Sequence, residues 1–159
     1  MVTLVPMTFD EADSFLRKSV VDFATDLSAS TNMLPDEALE WARSKLEEIL
    51  PERQNTLGHE FDWITQDGHR VGGVWFAPSL TEEGTLYIWD LFVDPEQQRH
   101  GFGGAAIDAI AALARERKLS GLVLSVFDSN PDARRLYERK GFVAEDPNDG
   151  SVRMRFNLR

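Results

Sequence analysis

The sequence predicts a single α/β domain of the three-layer α+β kind, with a mixed, mostly antiparallel sheet of six to seven strands and helices on both faces. Three observations carry that expectation. Two apolar runs, Phe61–Ile64 and Val71–Phe76, flank Gln66-Asp-Gly-His69, the chemistry of a tight β-hairpin. An apolar run from Thr85 to Val93, a helical stretch and a second apolar run from Leu122 to Phe127 make a strand–helix–strand unit, which should be parallel and right-handed. The C-terminal stretch alternates, with Val152, Met154, Phe156 and Leu158 on one face and Arg153, Arg155, Asn157 and Arg159 on the other.

Taken in order, Val2 to Val5 reads as a short strand. From Phe9 to about Leu27, Ala12, Phe15, Leu16, Val20, Phe23, Ala24 and Leu27 recur at helical spacing. Pro35, followed by Asp36 and Glu37, suits the first turn of a second helix whose buried stripe is Leu39, Ala42, Leu46, Ile49 and Leu50. The hairpin follows. Thr85 to Val93 is apolar on both faces except at Asp90, so it reads as a central, covered strand. The spacing then predicts a helix over 104–118, with Ile107, Ile110, Ala111 and Leu113 inward and Arg115, Arg117 and Lys118 at its negative end. Asn130 and Pro131 look like the cap and first residue of another helix, which ends at Gly141. Phe142–Ala144 and Val152–Leu158 close the sheet.

Composition narrows the function. A chain of 159 residues can bury about 68–70% of its unfolded surface around one core. The absence of cysteine excludes disulfides, thiolate nucleophiles and Cys-based metal sites, and suits a reducing compartment. The first ten residues lack the basic and apolar regions of a signal peptide, and the most apolar helical stretch, Ala105 to Ala114, is far short of a membrane span, so the expectation is a cytoplasmic protein without a membrane partner. Residues 1–97 carry 19 acidic and 6 basic side chains, and residues 98–159 carry 8 and 11. An acidic main part argues against nucleic acid, which needs a basic face, and suits a cationic acceptor or simply solubility.

The basic part holds the most informative stretch, Leu91-Phe-Val-Asp-Pro-Glu-Gln-Gln-Arg-His-Gly-Phe-Gly-Gly104. An apolar strand runs into a glycine turn that opens a helix. Gly101, Gly103 and Gly104 leave backbone N–H groups exposed along the helix axis, which makes a site for phosphate. Gly101-x-Gly103-x-x-Ala106 also satisfies a loose dinucleotide pattern, with Asp128 at the end of the next strand. In that motif the first glycine closes the strand directly, whereas here Asp94 to His100 intervene. A P-loop fails for want of Gly-Lys-Ser or Gly-Lys-Thr.

On these residues the chain resembles the GNAT superfamily of acyl-CoA-dependent N-acetyltransferases. Gln98-Arg-His-Gly101-Phe-Gly103 matches the family's Gln or Arg-x-x-Gly-x-Gly or Ala. A second family element appears as Asn130, Ala133, Leu136-Tyr137 and Gly141-Phe142. The resemblance is strong over residues 85–142. It implies the GNAT fold and transfer of an acetyl group from acetyl-CoA to a primary amine by direct attack, in keeping with the lack of cysteine for a thioester relay. The second reading is a non-catalytic acyl-CoA-binding regulatory domain, which a filled acceptor cleft would favour. O-acylation of an alcohol, the identity of the amine and assembly as a homodimer stay open.

The resemblance implies roles for particular residues. The backbone N–H groups of Arg99 to Gly104 hold the coenzyme pyrophosphate, a placement the turn chemistry suggests independently, with Gly103 the least replaceable. Gln98 and Phe102 belong to the same motif, and Arg99 and His100 contact the phosphates or are simply solvated. Leu91, Phe92 and Val93 pair with the pantetheine arm, and the Val93 N–H donates to the thioester carbonyl, where charge develops. Asn130 is a helix cap that also contacts the coenzyme, and Ala133 lies beside it. Tyr137 is the expected general acid, since a phenol of pKa about 10 stays protonated at neutral pH. Asp90 stands where many family members carry a glutamate that deprotonates the amine, and is one methylene shorter. Catalysis, or pairing with an arginine or backbone N–H, would explain a carboxylate in so apolar a strand. Trp63, Trp75 and Trp89, on three successive strands, wall an acceptor pocket or serve as core. His59 and His69 are isolated, and no spacing suggests a metal site.

Overall fold

A computed structural model of the chain describes residues 1–158, apart from the side chains of Asp146 and Asn148. Arg159, expected on the outer face of the last strand, lies outside the described residues. The elements run β1 (Thr3–Pro6), α1 (Phe9–Ser30), α2 (Pro35–Ile49), β2 (Glu60–Gln66), β3 (His69–Pro78), β4 (Thr85–Val93), α3 (Phe102–Glu116), β5 (Gly121–Phe127), α4 (Pro131–Lys140), β6 (Val143–Asn148) and β7 (Ser151–Asn157). No helix among the described residues is long and apolar enough to cross a membrane.

Local chemistry sets most boundaries. Thr8 and Glu11 form a reciprocal capping box at the start of α1, with bonds of 2.9 and 3.2 Å. Pro35 opens α2 with Asp36 and Glu37 beside it. Asp67 and Gly68 both have positive φ (51° and 80°), which a two-residue type I′ hairpin between β2 and β3 requires. Asn130 caps α4 through the Ala133 N–H at 3.2 Å, and Gly141 ends it in the left-handed region at φ 105°. α3 lies two residues earlier than its apolar stripe suggests: Gly101 caps it, and Lys118, at φ 58°, has already left the helix.

The seven strands form one sheet in the order β1-β2-β3-β4-β5-β7-β6. Only β4 and β5 pair in parallel, as expected of a strand–helix–strand unit, and every other pair is antiparallel. β4 is central. β7 inserts between β5 and β6, so the chain's last strand is interior and β6 takes the edge.

Helices cover both faces. Val74, Phe76, Leu86, Ile88, Leu122 and Leu124 pack with Ile107, Ile110, Ala111 and Ala114 of α3 and Tyr137 of α4. Trp75, between Val74 and Phe76 in β3, points the other way and joins Phe61 with Ala12, Phe15 and Leu16 of α1. Phe76 is fully buried, and burial of such a side chain contributes about 1.5–3 kcal/mol. The fold expected from the sequence is therefore the one observed.

One core position carries a charge. Asp62 of β2 is 8% exposed, and desolvation, with Glu60 adding to it and Arg117 partly offsetting it, pushes its carboxyl up from 3.8 to about 6. A folded-state pKa above the unfolded one means that its contribution to stability is fully present below 3.8 and lost as pH rises through about 6. Asp62→Asn should therefore raise the unfolding free energy at pH 8 by about 1–2 kcal/mol, with the gain gone at pH 4, as read by denaturant titration at the two pH values.

Candidate active site

The site begins with an irregularity in β4. Along β3 the register slips: Trp75 faces Asp90 but Phe76 faces Ile88, leaving Trp89 as the extra residue of a β-bulge. On its other side β4 pairs with β5 only from Thr85 to Ile88, against Gly121 to Leu124. Beyond the bulge the two strands separate, and their polar edges face a gap. The bulge also turns two successive side chains to the α1–α2 face. Trp89 packs against Tyr87 and Trp75, with ring centroids 4.5 and 5.5 Å away, and Asp90 accepts a hydrogen bond from Ser19 of α1 at 2.6 Å.

Ser19, rather than an arginine, is thus the side-chain partner of Asp90, and of the expected alternatives it is the backbone N–H, that of Leu91, which also favours its charge. Desolvation pushes the Asp90 carboxyl above the ordinary carboxylate range; the Ser19 bond opposes this, Asp22 adds to it, and Lys18 lowers it again. Its charge is also felt by Tyr137 of α4. Burial, and secondarily Asp90, push the Tyr137 phenol up to about 12. Tyr137 also packs on Phe142 at 5.7 Å as part of the core on the α3 face.

The end of β4 turns the right atoms into the same gap. The Asp94 N–H bonds the Val71 carbonyl of β3 at 2.8 Å, and the Phe92 carbonyl abuts Gly72 of β3. Because strand polar groups alternate in direction, the N–H and carbonyl of Val93 point away from β3, toward the gap. The Val93 carbonyl accepts the Gln98 side-chain amide at 3.0 Å, so Gln98 ties the glycine turn to the strand. The Leu91 side chain packs toward the α3 face, whereas Phe92 stacks on Phe15 of α1 at 5.6 Å.

Past the strand, Arg99 (φ 67°) and Gly101 (φ 80°) adopt left-handed conformations that swing the chain into α3. The first intrahelical bond is from the Ala105 N–H to the Gly101 carbonyl at 3.0 Å. The N–H groups of Phe102, Gly103 and Gly104 therefore have no intrahelical acceptor, no side chain caps them, and the first turn carries no acid. Such an end fits an anion. The demand for glycine conformation falls on Gly101, while a Cβ at Gly103 would lie 3.1 Å from Leu136. His100 donates its Nδ1–H to the Gln97 carbonyl at 3.0 Å and stacks on Phe102. The Asn130 side chain is engaged in capping, and Ala133 supplies the capped N–H.

On the α1–α2 face lies a cavity of about 550 Å³. Its walls include Phe23, Trp41, Trp75, Tyr87, Trp89 and Phe127, with Ser19, Lys45, Ser125, Asp149 and Ser151 as polar lining. Tyr87 donates to Ser125 at 2.9 Å, and Trp75 donates its Nε1–H to His59 Nδ1 at 2.9 Å, a bond that needs the neutral imidazole which burial also favours. The Trp89 Nε1–H is buried with no partner among the described residues. Trp75 and Trp89 thus wall the cavity as the sequence suggests, but Trp63 does not. It sits opposite Gly73 under the start of α1, donating to Glu11 at 3.1 Å with Arg70 over its ring. Sequence reasoning missed Ser19, Tyr87, Phe23 and Trp41, whose helical or strand spacing reads as ordinary core.

Comparison with known proteins identifies the family and the fold. Residues 27–142 match the acetyltransferase (GNAT) family model, and the chain belongs to that family of acyltransferases. It is 29% identical to the uncharacterized N-acetyltransferase YdgE of Bacillus subtilis (strain 168) over 158 residues, 98% of either chain. The crystal structure of YycN, a putative acetyltransferase of the same bacterium, superposes with a TM-score of 0.86 at 25% identity, covering 93% of this chain and 96% of that one. The fold is shared too with spermidine N-acetyltransferase of Vibrio cholerae in complex with CoA and spermine, at a TM-score of 0.67 and 19% identity over 99% and 95% of the two chains.

The left-handed cap at Gly101 is testable without any ligand. Gly101→Ala should cost about 1 kcal/mol of stability, because open space around its Cβ leaves only backbone strain to oppose the change, and thermal unfolding reads the difference.

Proposed function

We propose that residues 1–159 act as one N-acetyltransferase domain, moving the acetyl group of acetyl-CoA directly onto a primary amine. The observation that supports this most is the end of β4–β5 pairing after Ile88, with Asp90 and the Val93 N–H on the unpaired stretch and the uncapped end of α3 beyond it; in this reading the Tyr137 hydroxyl faces the same gap. The N–H groups from Arg99 to Gly104 receive the pyrophosphate, and the pantetheine arm runs along Leu91, Phe92 and Val93 toward the gap. The open cavity beside Asp90 favours an enzyme over a regulatory coenzyme binder.

In this reading the acceptor arrives as an ammonium ion and gives one proton to Asp90, whose raised pKa suits a base. The nitrogen lone pair attacks the thioester carbonyl carbon, and the Val93 N–H stabilises the oxyanion that forms. As the tetrahedral intermediate collapses, the C–S bond breaks, the nitrogen sheds its extra proton to solvent, and the sulfur takes a proton delivered through the Tyr137 hydroxyl. The phenol and Asp90 then return to their starting states by exchange with solvent. The balance is ammonium plus acetyl-CoA to acetamide, free CoA thiol and one proton.

Three outcomes test the reading. Gly103→Asp, placing a carboxylate where phosphate is to bind, should abolish acetyl-CoA binding in calorimetric titration. Asp90→Asn and Tyr137→Phe should each lower kcat about 100-fold while the acetyl-CoA Kd moves less than about twofold, since both act on proton transfer rather than on coenzyme binding. The wild-type kcat should rise with pH as Asp90 loses its proton above the ordinary 3.8 and show no alkaline fall below about pH 10, because Tyr137 stays protonated there. An unchanged kcat in Asp90→Asn removes it from the mechanism.

A further inference from the structure

The cavity on the α1–α2 face is more specific than the transfer chemistry requires. Six aromatic side chains surround it, contributed by α1, α2, β3, β4 and the end of β5. Two of them, Phe23 and Trp41, are 37% and 41% exposed yet stacked nearly parallel, with centroids 5.9 Å apart and planes 8° from each other. Phe23 also meets Phe127 edge to face at 5.1 Å. Parallel aromatic planes at an open mouth keep apolar surface in water, which is costly unless something flat covers it. At the inner end, Ser19 both lines the cavity and donates to Asp90, so an amine nitrogen reaching Ser19 lies beside the carboxylate at the gap.

We infer that the acceptor is a primary amine on a short linker from a flat apolar ring, an arylalkylamine, with its ring near Phe23 and Trp41 and its nitrogen at Ser19 and Asp90. This rests on the transferase reading and adds the class of substrate. The cavity's volume of about 550 Å³ lies within the about 300–1,000 Å³ of small-molecule sites. Its aromatic faces attract an entering ammonium as well as a ring. A polyamine would call for carboxylates spaced along a channel, whereas between Asp90, behind Ser19, and Asp149 the lining is mainly aromatic and aliphatic, with Lys45 as a cation. Lys45 is itself held 3.7 Å from Glu48. A long acyl chain on the coenzyme would gain nothing from the neighbouring Asp90.

The test compares acceptors by acetyl-CoA-dependent release of free thiol. The expected result is a kcat/KM for 2-phenylethylamine and tryptamine about tenfold or more above that for spermidine and Nα-acetyl-lysine. Phe23→Ala, at a half-exposed position and checked for folding by thermal unfolding, should raise the KM for 2-phenylethylamine about fivefold and leave that for acetyl-CoA within about twofold. Preference for spermidine or Nα-acetyl-lysine, an unchanged KM in Phe23→Ala, or faster use of octanoyl-CoA than of acetyl-CoA overturns the inference while leaving acyl transfer intact. If no amine is acetylated, titration of the CoA-saturated protein with 2-phenylethylamine decides, followed by the fluorescence of the cavity's own tryptophans. Saturable quenching weakened in Phe23→Ala upholds the aryl pocket and sinks the transferase reading alone; absent quenching sinks the pocket too.

Discussion

Everything at this site depends on the loss of register in one strand. Were β4 regular, its parallel pairing with β5 would continue past Ile88 to Leu91, opposite Phe127 at the end of β5. The extra residue at Trp89 ends that pairing after Ile88 and leaves a stretch of backbone with hydrogen-bonding capacity and no partner in the sheet. A sheet interior does not tolerate that condition unless a ligand or water completes it. The cost is confined to a few residues because β3 continues to hold β4 on its other edge, through to the Asp94–Val71 bond.

The same bulge explains how a carboxylate can occupy a central strand. It rotates Asp90 out of the alternation and onto the α1 face, where the Ser19 hydroxyl meets it. The Ser19 bond and the Leu91 N–H do not replace full hydration, so the group stays basic for a carboxylate. On the other face of the sheet, the phenol of Tyr137 is shifted the same way by the same lack of water. In the proposed reaction these two groups, one on each face of the sheet, take the roles of base and acid where the two strands part.

Much of this was legible in the chain itself, and the division follows from range. The Asp-Gly turn, the Asn130 cap, the glycine at the end of α4 and the strand-turn-helix after β4 are local, and each declares itself within a few residues. The resemblance to a known family rests on that local chemistry as well. The bulge is different, because nothing in Ile88-Trp-Asp-Leu91 marks which residue is extra; only pairing against β3 decides it. Ser19 meets Asp90 from 71 residues away. Trp63 and Trp75 look alike in sequence, and their separation into a brace under α1 and a cavity wall depends on where each falls along its strand. The insertion of β7 beside β5 is likewise a matter of partner choice, invisible to periodicity.

The bare first turn of α3 has a thermodynamic corollary. Most helices satisfy their leading N–H groups with a side chain, as α1 does with Thr8 and α4 with Asn130, and so carry their capping energy whether or not anything is bound. α3 leaves that energy to an incoming anion. An anionic ligand held there at a hundred times its Kd adds about 2.7 kcal/mol to the folded state by mass action. The lifetime of the chain against proteolysis would then track the supply of that ligand.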